Sequence, residues 1–167
     1  MSHADFPSPP DERYFEDYVK GAAYEYGPIA VEEDEVIAFA KRFDPQSIHT
    51  DPEAAAHGPF NGLIASGWHT IGLLMRIFVA HYLSAVASLA SPGVDEVRWI
   101  KPVRPGDRLR LRVSVVDARL SRSKPDRGIV HSFVEGINQA DEVVVSFKAM
   151  NLLGVRGSAP ARVAPRS

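Results

Sequence analysis

Asp44 and His49, five residues apart, are the side chains in this sequence best placed to do chemistry together. A carboxylate can hold a water and a neutral imidazole can take its proton, provided both reach the same molecule. The chain around them offers fixed points. Pro45 disfavours the helical region at Asp44, so a helix entering here should stop at Phe43 and leave the carboxylate on a loop. Thr50-Asp51-Pro52-Glu53 combines a capping box with an early proline. That predicts a second short helix starting just after His49 and running through Ala54 to Ala56, with the imidazole at its positive end. Asp-Pro is also a common helix stop and His-Thr-Asp-Pro a common start, so the pair by itself leaves function open.

A second candidate is Ser66-Gly67. Ser66 can cap a helix, and Gly67 has no side chain, so unpaired backbone N–H groups there could face a ligand. The helix in question is the longest run with few charges and no proline, Ile64 to Ala90. Apolar residues fall on every face between Ile71 and Leu83, which predicts a long central helix buried all round and ended by Pro92-Gly93. Arg76, His81, Gly72, His69 and Ser84 interrupt the run and argue against a membrane span. Trp68 and His69, in its first turn, either line a pocket or fill the core.

Around this helix the periodicity predicts the remaining elements. Residues 1–12 read as loose, with Tyr14, Phe15 and Tyr18 as the first docking cluster. Ala22 to Ile29 reads as a strand. Val36, Ile37, Phe39, Ala40 and Phe43 mark an amphipathic helix with acids in its first turn and Lys41-Arg42 in its last. After Gly93 the period becomes two. Val94 to Val103 is strand-like and Arg104-Pro105-Gly106-Asp107 a turn; Leu109, Leu111, Val113 and Val115 then alternate with Arg108, Arg110, Arg112 and Ser114. The polar loop Ser121 to Gly128, a strand to Ile137, a turn at Asn138 to Asp141 and a strand from Glu142 to Leu153 complete an antiparallel meander. The class is α+β: one domain over residues 1–154, with 155–167 read as a disordered tail.

Composition narrows the partners. With 167 residues, 45% hydrophobic, 24% charged and a formal net charge of −2, the chain has no global attraction to nucleic acid. Having no cysteine, it has no thiolate nucleophile, disulfide or cysteine-ligated metal, and is compatible with the cytoplasm. Met1 to Pro10 carries no visible secretory signal. His57, His69, His81 and His131 have no metal-ligand spacing with acids, so no metal is expected. Arg122, Lys124 and Arg127, with Lys101 and Arg104, either meet phosphates or are simply solvated.

The strings FAKRFDPQSIHTDPEAA, GLIASGWHT and VRWIKPVRPGD resemble the MaoC-like dehydratase family, which includes the (R)-specific enoyl-CoA hydratases. The features carrying the resemblance, in chain order, are Asp44, His49, Gly67, Pro102 and Gly106-Asp107, and it spans about Tyr14 to Leu153. It implies a single hot-dog domain, a curved antiparallel sheet wrapped around a long central helix, working as a homodimer or dimer of dimers on acyl thioesters of coenzyme A. It also implies that Asp44 and His49 activate water while the Gly67 N–H receives the thioester oxygen. Ser66, Trp68, His69, Arg104, Arg122, Lys124 and Arg127 are then candidate substrate contacts, and no cofactor is needed beyond the coenzyme A of the substrate. The same fold hosts thioesterases, and a non-catalytic acyl-CoA binding protein is the reading from a different class.

Overall fold

An acidic start and a Lys41-Arg42 end, matched to the helix dipole, give helix α1 (Glu33–Phe43), whose Val36 and Ala40 are fully buried. Strand β1 (Ala23–Ala30) precedes it, and two single turns follow, α2 (Ser47–Thr50) and α3 (Pro52–Ala56). Next comes helix α4 (Gly67–Ile77), extended by a π-helical turn, Phe78–Tyr82. Four strands complete the chain: β2 (Ser88–Trp99), β3 (Arg108–Leu120), β4 (Arg127–Ile137) and β5 (Val143–Gly154). The computed structural model describes residues 5–158.

The five strands form one antiparallel sheet in the order β1-β3-β4-β5-β2. Only β3, β4 and β5 form the expected meander. The strand after the helix, β2, lies at the far edge beside β5, so its link to β3 crosses the sheet. An alternating pattern fixes which face a residue takes but not which strand lies alongside, and this is where the sequence expectation and the fold differ.

The inward rows Leu109, Leu111, Val113 and Val115 of β3 and Val130 and Val134 of β4 are almost fully buried. They share one core with Leu73, Leu74 and Ile77 of α4 and Phe78 and Tyr82 beyond it. Gly136 lets helix and sheet approach, because a Cβ there would lie 2.7 Å from Leu74 Cδ1. Leu74 is wholly buried, so truncation to alanine would cost about 2–5 kcal/mol. On the outer face the alternating arginines are paired: Arg110 and Arg112 both bind Glu25 of β1.

Two expectations about the helix are corrected. It ends at Tyr82, not Ala90, and it is amphipathic, with Trp68, Met75 and Val79 exposed by 58%, 40% and 55%. Its end is set from elsewhere in the chain. The Arg13 guanidinium donates to the carbonyls of His81 and Tyr82 at 2.7 and 2.8 Å, taking acceptors that another helical turn would use. Leu83 is extended, and the Ser84 hydroxyl accepts from the N–H groups of Val86 and Ala87. Pro92-Gly93, read as the helix stop, lies inside edge strand β2, where a missing N–H is tolerated.

Within the stretches read as loose, residues 1–4 lie outside the described residues, and Phe6 and Arg156 make contacts. Phe6 packs on Tyr18, Tyr24 and Tyr82. Arg156 pairs with Asp17 and lies over the Tyr14 ring. The remainder of the expected tail, 159–167, lies outside the described residues.

Candidate active site

Asp44 caps α1 with its backbone out of the helical region, at φ −152° and ψ 68°, as Pro45 requires. His49 does not head the next helix. It sits in the last turn of α2, and the residue capping α3 is Asp51, whose carboxylate accepts from the N–H groups of Glu53 and Ala54. Thr50 instead donates back to the Gln46 carbonyl at 3.1 Å. The local partner of the His49 ring is therefore a carbonyl and not the start of a helix. His49 Nδ1 lies 2.8 Å from the Ile64 carbonyl, which can only accept, so Nδ1 carries a proton, and in the neutral tautomer this selects, Nε2 is the acceptor.

That acceptor faces another. Asp44 Oδ2 lies 3.4 Å from His49 Nε2. Two acceptors at this spacing suit a molecule that donates a proton to each, which is what water does. The carboxylate is itself held: Gln46 donates to Oδ1 and the buried Ser66 hydroxyl to Oδ2, each at 2.7 Å. These bonds, Gln46 first and Ser66 second, hold the Asp44 carboxyl below the usual carboxylate range. Ser66 donates its hydroxyl proton to Asp44, and its oxygen accepts no side-chain cap bond from α4.

A cavity of about 370 Å³ opens beside the pair, with His49, Ile64, Gly67, Thr70, Trp99 and Val103 in its wall. Asp44 is not in the wall and meets it through His49. Gly67, the first residue of α4, brings the start of that helix into the wall. Lys101 also lines the cavity, paired with Glu142.

Other candidates are placed elsewhere. Trp68 is exposed, edge-on to Trp99. His69 turns inward onto Phe39, and its buried Nε2 meets no partner among the described residues; burial pushes this imidazole down, against a smaller upward pull from Glu35. Neither lines the cavity. Arg104 donates to the Phe60 carbonyl and so braces the loop before α4. Arg127 pairs with Asp126, while Arg122 and Lys124 are exposed. This basic loop is at the other end of the sheet: Arg127 stands opposite Gly154, nine residues along β5 from the Val145 that faces Trp99, or about 30 Å. Within one protomer it does not reach the cavity.

A family model described as a MaoC like domain matches residues 17–135. This chain belongs to that family. Among its relatives, the YdeM protein of Bacillus subtilis is 30% identical over 75% of this chain and 88% of its own length. A 3-hydroxyacyl-thioester dehydratase Z of Mycobacterium tuberculosis is 40% identical, over 53% of this chain and 60% of that protein. The crystal structure of a MaoC-like dehydratase from Rhodospirillum rubrum superposes with a TM-score of 0.79 at 38% identity, covering 86% of this chain and 98% of that one. The sheet-wrapped helix is the hot-dog fold. In this MaoC-like chain the residues that sequence reasoning missed are the Gln46 donor and the Trp99 wall. Gln46 was legible as a polar neighbour of Asp44. Trp99 carried no local signal, because its relation to Gly67 arises only when the edge strand closes over the helix.

Proposed function

We infer that this protein adds water to the α,β double bond of a 2-enoyl thioester of coenzyme A, or removes it in the reverse sense. The observation that carries this reading is the pair of acceptors, His49 Nε2 and Asp44 Oδ2, 3.4 Å apart beside an apolar cavity. A water donating to both turns its oxygen lone pair outward, toward C3 of a substrate lying in the cavity. As the C3–O bond forms, one of its protons passes to the pair, and the π electrons move through C2 to the thioester oxygen. The Gly67 N–H, aided by the helix dipole, receives that developing charge. The proton then returns to C2, so one water is added and nothing else is consumed. No cofactor is required.

A second copy completes this reading. Trp68, Gly72, Met75 and Val79 form one stripe along α4, and Val94, Trp99 and Ile100 add exposed apolar area along the open β2 edge. Two copies joined edge to edge through antiparallel β2 strands would bring the far end of one sheet beside the site end of the other. Arg122 and Lys124 of the partner subunit could then meet coenzyme A phosphates that the protomer's own loop cannot reach.

The test is a panel of trans-2-enoyl-CoA thioesters, following the conjugated thioester absorbance together with a thiol reagent. Hydration consumes the chromophore and releases no thiol. Thiol release in step with substrate loss would transfer the site to thioester hydrolysis, and absence of both would leave a binding protein.

A further inference from the structure

Gly67 is covered by a neighbour far away in sequence. A Cβ built on it would overlap the indole ring of Trp99, and the three nearest atoms are Nε1, Cε2 and Cδ1, the last at 2.7 Å. Cε2 and Cδ1 are the two carbons bonded to Nε1. It is therefore the N–H corner of the ring, not its benzo edge, that lies on Gly67. Trp68 packs edge-on against the same ring, with centroids 5.2 Å apart and planes at 77°. Among the described residues the Trp99 N–H donates to no protein acceptor, and the side chain forms part of the cavity wall with His49 and Gly67. An indole can only donate.

We propose that Trp99 is a catalytic residue, its Nε1–H giving the thioester oxygen a second hydrogen bond beside that of the Gly67 N–H. This rests on the hydratase reading and deepens it. As hydroxide adds at C3, the electron pair displaced onto the thioester oxygen meets two donors from different elements, one at the start of α4 and one at the end of β2. Because both are in place before substrate arrives, their stabilisation needs no reorganisation when the charge develops. Gly67 then has two requirements: an N–H of its own, and no side chain, so that the indole can lie beside it. Binding of the uncharged thioester gains less from the indole than the enolate does, so the contribution appears in kcat more than in KM.

The experiment places 3-benzothienylalanine at position 99, which keeps the bicyclic shape but replaces the ring N–H with sulfur, alongside Trp99→Phe. Hydration of short- and medium-chain trans-2-enoyl-CoA thioesters is measured for both variants, with circular dichroism and thermal unfolding confirming that the isosteric variant is folded. The expected result is a fall in kcat of about 10²-fold or more with KM changed only a few-fold. Separately, the Trp99 indole N–H resonance of the wild type should move on adding butyryl-CoA, a saturated thioester that binds without reacting. If the isosteric variant keeps wild-type kcat, or loses only KM, the indole is a wall and the proposal is overturned while the hydratase reading stands. If the wild type hydrates no thioester in the panel, the hydratase reading falls, and this inference falls with it.

Discussion

Replacing Ser66 by alanine removes one oxygen atom from a fully buried position, yet the geometry assigns it a large effect on the reaction. Its hydroxyl donates at 2.7 Å to Oδ2 of Asp44, the same oxygen that stands 3.4 Å from His49 Nε2. Gln46 holds the other oxygen, but its side chain is exposed and can exchange that bond for water, so Ser66 is the constraint that persists. A hydrogen bond to a charged group contributes about 1.5–3 kcal/mol. If that constraint is lost from the arrangement reached in the transition state, kcat/KM falls by about 10- to 150-fold. Protonation gives an independent reading. A donor to the ionised form holds the Asp44 carboxyl low, so its removal should raise the carboxyl pKa, visible in the side-chain carboxyl ¹³C shift against pH. A carboxyl whose folded pKa is depressed contributes stability above its unfolded value, about 4, and loses it as pH falls through the folded value. The stability difference between wild type and Ser66→Ala should therefore be full at neutral pH and narrow in acid. Unchanged kcat/KM together with an unmoved Asp44 titration would refute the reasoning.

Asp44→Asn and His49→Ala should each nearly abolish hydration with the fold retained, and the double variant should be scarcely worse than the worse single one, because both groups act on one water; steady-state rates and circular dichroism check this. Val79→Lys places a charge in the exposed stripe of α4 and should shift light scattering from a dimer toward the 18.3 kDa protomer, whereas a wild type already monomeric in dilute solution would remove the dimer. Arg122→Ala and Lys124→Ala should raise KM with kcat nearly unchanged, by about 1 kcal/mol or less each and less in salt, since phosphate contacts form equally in ground and transition states. Unchanged KM at low ionic strength would exclude this loop.

Local signals in the sequence located several structural features correctly. Pro45 ended α1 at Phe43 and projected Asp44 from it, and the Leu109 to Val115 alternation set the buried face of β3. Signals that depended on a choice between neighbours did worse. Thr50 and Asp51 are both good caps, and the one immediately before Pro52 takes the role, which leaves His49 in the preceding turn. An unbroken apolar run hid a change of element, because Leu83 to Ala90 leaves the helix and enters an edge strand without the glycine or proline that would mark the break. What ends the helix, Arg13, is 68 residues from the first carbonyl it caps.

The candidate site divides along the same line. Asp44 and His49 are presented by turns next to them in the chain, and their five-residue spacing could be read directly. What readies them comes from farther away: the Ile64 carbonyl that selects the imidazole tautomer is 15 residues from His49, and the hydroxyl on Asp44 is 22 residues distant. Ser66 was read from its position as a helix cap, but its side chain instead donates to Asp44; donation uses the hydroxyl proton and capping would use the oxygen lone pairs, so what separates the two roles is where the side chain points. The contact of the buried hydroxyl with the part-buried carboxylate is the stronger claim on that side chain, since an orphaned N–H at a helix start beside a cavity can be satisfied by water or substrate, whereas a buried hydroxyl has no such alternative. The start of α4 thus carries no side-chain cap while the Ser66 hydroxyl is turned to Asp44. A cap from Ser66 would reach the N–H groups of Trp68 or His69, the second and third residues of α4, so the Gly67 N–H is open to a ligand whichever way the serine points, and in the proposed mechanism Ser66 acts through Asp44 alone.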